Sequence, residues 1–101
     1  MIYSAARIFA VACELLGQEP LQVASGSRLA GLVHARMMII GAARTMTYAS
    51  YPEIARVLNK ASHHTILHLH KKYRREVGSK EHLQWIEKMS AACERRNGAI
   101  R

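Results

Sequence analysis

Apolar residues return at helical spacing from the start of the chain, where Ile2, Ala6, Phe9, Cys13 and Leu16 form one stripe and Gly17 stands as a stop. This spacing predicts an amphipathic helix over residues 2–17. A short helical piece should follow, opened by Pro20 in its first turn and carrying Leu21 and Val23. Ser25-Gly26-Ser27 predicts a loop with Arg28 just beyond it. The stretch from Ala30 to Thr45 is apolar nearly all round (Leu32, Val33, Met37, Met38, Ile39, Ile40), which predicts the central, most buried helix. After a break at Thr47-Tyr48-Ala49, Ser50 is a helix cap, Pro52 suits a first turn and Glu53 is a favourable early acid. That helix, about 51–58, should bury Ile54, Val57 and Leu58. A tight turn over Asn59-Lys60-Ala61 leads to Ser62, the cap of the next helix, on which Ile66, Leu69, His70, Tyr73 and Val77 share one face. Gly78 should end it, and Ser79 should cap a last helix that buries Leu83, Trp85, Ile86 and Met89.

Two helices joined by a three-residue turn have helix-turn-helix dimensions, here at about residues 51–77. The fold class expected is therefore all-α, a bundle of five to six helices formed by residues 1–101 as one domain. Composition agrees: half the residues are hydrophobic but only 6% aromatic, and the dominance of Ala, Leu, Ile and Met favours packed helices over a sandwich or barrel.

Charge adds a functional direction. The formal net charge is +8, and residues 51–101 carry eleven Lys/Arg against five acids, whereas residues 1–50 carry four against two. A basic surplus concentrated in one half points to a polyanionic partner. Cys13 and Cys93 match no metal-ligand spacing and read as reduced thiols. The first apolar stretch has no charged n-region and is interrupted by Arg7 and Glu14, which supports neither export nor a membrane span, so a cytoplasmic location is expected. Nothing resembles a phosphate loop, a nucleophile elbow or a carboxylate pair, so no catalytic residue, cofactor or small-molecule substrate is assigned.

The capped helix carries the chemistry. His64, His68, Lys71, Lys72 and Arg75 lie on the face opposite its apolar stripe. In helix-turn-helix proteins the first residues of this helix reach base edges while flanking cations hold phosphates. Ser62, His63, His64, Thr65 and His68 are the candidate base-reading residues, with hydroxyls and imidazoles for groove donors and acceptors and a Thr methyl for a thymine methyl. His70, on the apolar side, reads as a core or boundary histidine. His64 and His68 are spaced i, i+4, a geometry that suits Zn²⁺, but no further ligand completes a set and no metal site is assigned.

Pro52-Glu53-Ile54-Ala55-Arg56-Val57-Leu58, the turn, and then Ser62-His63-His64-Thr65-Ile66-Leu67-His68 resemble the signature of the C-terminal DNA-binding domain of DnaA, the bacterial replication initiator. That pattern reads approximately Leu-Pro-Glu-Ile-Gly, then Gly-Arg-Asp-His-Thr-Thr-Val-Leu-His. The register runs without gaps from Arg28 to Tyr73, and Glu14-Leu15-Leu16-Gly17 with the short helix resembles the domain's opening. The resemblance implies a Trp-repressor-like helix-turn-helix fold and a double-stranded DNA site, the DnaA box. It places Arg28 at the minor-groove arginine, Arg36 and Arg44 at cationic backbone-contact positions, and His63, Thr65 and His68 at recognition positions. His34, Lys60, Lys71 and Lys72 complete the candidate phosphate contacts.

The sequence also departs from the pattern. Ala61-Ser62 replaces Arg-Asp, His64 replaces Thr, His34 replaces an Arg, and Ala30 and Gly31 stand where basic or polar residues are usual. Fewer cations predict weaker phosphate binding and a shallower salt dependence, and the changes at Ser62 and His64 predict an altered preferred site. The ATPase half of the initiator is absent from these residues. The expectation is a stand-alone, nucleoid-associated DNA binder of bacterial or phage origin, monomeric or homodimeric. It would act as a transcriptional regulator, or as an accessory factor or competitor at DnaA-box-like sites. The alternative is a module of the same fold that binds a protein instead of DNA.

Overall fold

The computed structural model describes residues 3–60 and 62–100, with side chains as far as Arg95. Six helices account for the described elements: α1 (Ala5–Leu16), α2 (Pro20–Val23), α3 (Ala30–Met46), α4 (Tyr51–Val57), α5 (His63–Glu76) and α6 (Ser79–Ile100). No strand occurs among the described residues, and the fold is the all-α bundle that the periodicity predicts.

Local chemistry sets most boundaries. Ser4 caps α1 by accepting from the Arg7 N–H at 3.1 Å. Gly17 closes α1 in the left-handed region (φ 66°), which lets Gln18 N–H reach back to the Cys13 carbonyl at 2.9 Å. Pro20 starts α2. The last helix differs from expectation. Ser79 is the first residue of α6 rather than its cap, and α5 stops at Val77, which adopts extended backbone, rather than at Gly78.

Helix α3 is the centre of the molecule and packs against α1, α2, α5 and α6. Leu32, Ala35, Met37, Ile39, Ile40, Ala42 and Ala43 are all buried along it. Gly41 is the point of closest approach: a Cβ there would lie 2.4 Å from the Tyr73 ring of α5. Any larger residue would force the Tyr73 ring, or α5 with it, to shift. Trp85 ties α6 to the same helix, its indole N–H donating to the Met38 carbonyl at 3.0 Å.

Two packing expectations are corrected. In α1 the buried residues are Ile8, Val11, Ala12 and Cys13, whereas Ala6 is exposed and Phe9 and Leu16 are half-buried. Ile2, the first residue of the expected stripe, lies outside the described residues. Residues 8–13 are apolar without a break, so spacing alone leaves the phase open, and the contacts of α1 with α2, α3, α4 and α6 decide it. In α6 the core is filled by Trp85, Met89, Ala92 and Cys93, and Leu83 is 61% exposed. Leu21 of α2 also faces solvent while Val23 is fully buried.

Candidate nucleic-acid interface

Helix α4 begins with a reciprocal cap. Ser50 Oγ accepts from Glu53 N–H at 3.3 Å and Glu53 Oε1 accepts from Ser50 N–H at 3.2 Å. The Ser50 N–H, and then the Ser50 hydroxyl at 3.0 Å, donate to the carboxylate and hold the Glu53 pKa below its ordinary value. At the other end Asn59 takes the left-handed conformation (φ 56°), one of the few residue types that tolerates it. Lys60 N–H then bonds the Ala55 carbonyl at 2.8 Å, which closes the helix and turns the chain towards α5. Ala61, in the predicted turn, lies outside the described residues.

Ser62 caps α5 as its sequence position predicts, Oγ accepting from His64 N–H at 3.1 Å. Ser62, His63, His64, Thr65 and His68 are all exposed, and the His63 and His64 rings stack with centroids 4.5 Å apart. The opposite face of α5 is held by the buried Ile66, Leu69 and Tyr73. His70 lies half-buried between them, its Nδ1 2.8 Å from the Tyr51 hydroxyl of α4. Burial, and then the charges of Arg44 and Arg74, push its pKa below the ordinary histidine value. Tyr73 is fixed in turn by His82 of α6, at 2.6 Å from hydroxyl to Nδ1. Tyrosine–histidine bonds therefore brace α5 against both neighbouring helices.

The loop between α2 and α3 lies beside this helix. Arg28, Lys60, Thr65, His68 and Lys72 line one groove of about 510 Å³, and no carboxylate lines it. Arg28 and Lys71 are exposed and Lys72 is half-buried, and none of the three is ion-paired among the described residues. His34 is exposed on the first turns of α3, away from the groove lining. Arg44 is exposed but engaged: it donates to the Ala49 carbonyl at 3.0 Å and lies 4.2 Å over the Tyr51 ring.

Two cations assigned to phosphate contact from the sequence have other duties. Arg36 is only 5% exposed. Its guanidinium donates to the carbonyls of Val23 (2.7 Å), Ser27 (2.7 Å) and Ser25 (2.8 Å), with Gln22 at 3.4 Å. The assignment of Arg36 as a DNA-contact residue is thereby corrected: its donors are consumed inside the protein. Burial lowers its pKa, and the carbonyl cage replaces the lost water. Lys60 is half-buried and donates to the Ser25 carbonyl at 2.7 Å. Together the two pin the loop that carries Arg28. The clue available in the sequence is a lone cation amid Val33, Met37 and Ile40, just after a very short helix whose carbonyls need donors.

No group of three or more His, Cys, Asp or Glu side chains able to hold a metal ion occurs among the described residues. No described helix is long and apolar enough to cross a membrane.

A capped, exposed helix N-terminus on an apolar-anchored helix, joined to a preceding helix through a left-handed residue, has the arrangement of a helix-turn-helix. The family model described as the bacterial dnaA protein helix-turn-helix matches residues 5–72, and the chain belongs to that family. No curated protein matches the chain.

Proposed function

We propose that this chain binds double-stranded DNA in a sequence-dependent manner, with the first turns of α5 in the major groove and Arg28 at the adjacent minor groove. The observation that carries the reading is the shared groove, which sets the Arg28 loop beside Thr65, His68 and Lys72 without an intervening acid. Ser62, His63, His64, Thr65 and His68 read bases, while Lys71, Lys72, Arg44 and His34 hold the backbone. Arg28 meets the enhanced negative potential of a narrow A·T minor groove. Residues 1–101 act as one nucleoid-associated domain, a regulator or a competitor at DnaA-box-like sites.

Selection of bound duplexes from a randomised pool tests this directly. Enrichment of one motif is expected, with an affinity that falls with salt at a log–log slope of about −3 to −4 if Arg28 in the minor groove and Arg44, Lys71 and Lys72 on the backbone each release one counterion. His63→Ala should relax preference at a cost of about 1–3 kcal/mol for the best site, whereas Lys72→Ala should weaken all duplexes alike. Absence of both enrichment and salt dependence would reject the reading in favour of a protein-binding module.

A further inference from the structure

On the side of α5 turned away from His64 and Lys71, a cavity of about 560 Å³ opens where the C-terminal ends of α3 and α5 meet the first turns of α6. Its polar lining includes His70, Arg74, Ser79 and His82, its apolar lining includes Val77 and Leu83, and no carboxylate is among its lining residues. Both histidines have Nδ1 engaged by a tyrosine hydroxyl, His70 by Tyr51 at 2.8 Å and His82 by Tyr73 at 2.6 Å. With each phenol assigned as donor, the ring proton of each imidazole sits on Nε2, the remaining polar atom of the ring. Arg74 is exposed and has no ion-pair partner among the described residues. The cavity therefore combines imidazole N–H donors, a hydroxyl and an uncommitted guanidinium with apolar surface. It also gives a reason for Leu83, a large aliphatic side chain that is 61% exposed at its rim.

The volume falls in the range of small-molecule sites, and this open cleft likewise pairs apolar walls with a few polar groups. We propose that this cavity binds a small organic anion, a carboxylate on an apolar body, with Arg74 and the histidines taking the carboxylate and Val77 and Leu83 the body. Because the cavity shares α5 with the proposed reading face, an occupant acts on that helix from behind. That consequence, unlike the site itself, rests on the DNA-binding reading.

The test is an NMR titration of the whole chain, without DNA, using naphthalene-2-carboxylate, with 2-naphthylmethanol and acetate as controls for the body and the charge alone. Saturable shifts centred on His70, Arg74, Val77, Ser79, His82 and Leu83 are expected for the carboxylate, each control binding about tenfold more weakly or worse. Arg74→Ala should weaken the carboxylate about tenfold and leave 2-naphthylmethanol unchanged. Leu83→Glu, on the exposed rim, should weaken it by placing like charge there. The proposal is overturned if no saturable shifts occur, if the shifts centre on His63, His64 and Lys71, or if Arg74→Ala leaves the carboxylate affinity unchanged. DNA affinity of the ligand-free chain, measured separately, tests the DNA-binding reading, so the two can fail independently.

Discussion

Replacing Arg36 separates a structural cation from a DNA-binding one. Arg36→Met keeps much of the apolar stem and removes three short charged hydrogen bonds, at 2.7, 2.7 and 2.8 Å, to the carbonyls of Val23, Ser27 and Ser25. A hydrogen bond to a charged donor contributes about 1.5–3 kcal/mol net, which sums to roughly 5–9 kcal/mol if all three were lost without relief. Relief is partial. Ser25 and Ser27 are half-buried, so water replaces some of the guanidinium, and the variant is spared the desolvation of a buried charge. The expected destabilisation is about 3–5 kcal/mol, a large share of a typical domain's stability. For a chain of 101 residues this lowers Tm on the order of 20 °C. Arg36→Lys, with the charge kept but the fork lost, should fall between. Urea and thermal unfolding followed by circular dichroism measure this without DNA. An Arg36→Met protein as stable as the parent, with a salt slope of DNA binding shallower by about one unit, would refute the cage and return Arg36 to the phosphate backbone.

Gly41→Ala places a methyl against the Tyr73 ring, which the His82 bond prevents from swinging freely, and should cost about 1–3 kcal/mol or more; Tyr73→Leu in the same chain should recover part of it in denaturant unfolding. The lowered His70 pKa means that the unfolded chain takes up a proton near the ordinary value of 6.5 while the folded chain does not. Stability should therefore fall as pH drops from above 6.5 towards the lower folded value. His70→Gln should flatten that limb, and an equal slope in both proteins between pH 7.5 and 5.5 (roughly one unit either side of a free histidine) would contradict the assignment. Cys13 is buried, its thiol pushed up to about 11 mainly by that burial, so a thiol reagent should label it only as the chain unfolds. Ser62→Ala should cost about 1 kcal/mol in thermal unfolding through loss of the α5 cap.

Helix positions were legible in the sequence wherever a local interaction sets them. Ser50 with Glu53, Pro20, Gly17 and Ser62 each act within a few residues of themselves, and each does what its position predicts. The buried side of α5 was legible for the same reason, since a helix with one apolar stripe has one way to pack. What escaped is decided across the fold. The rotation of α1 depends on four neighbouring helices, and the exposure of Leu83 depends on where the α3–α5–α6 junction leaves a cavity. Arg36 and Lys60 carry the same charge as Lys71 and Lys72. The position of the loop carbonyls distinguishes the pair bound within the protein from the pair with no ion-pair partner among the described residues. Gly41 carried a weak signal, because glycine inside a helix is unfavourable unless something must approach closely.

The carbonyl cage also gives the Arg28 loop a direction. A trans peptide is planar, and its N–H points opposite to its C=O. The carbonyls of Ser25 and Ser27 are turned towards Arg36 and Lys60, so the N–H groups of those same peptide units, on Gly26 and Arg28, are turned away from the two cations. Two peptide units of the loop thus turn their acceptors towards the cations and their donors the other way, so this part of the backbone is polarised by the fold itself. Main-chain N–H groups turned that way favour an anion over a cation, and no side-chain substitution at those positions, proline aside, removes them, although salt weakens the preference.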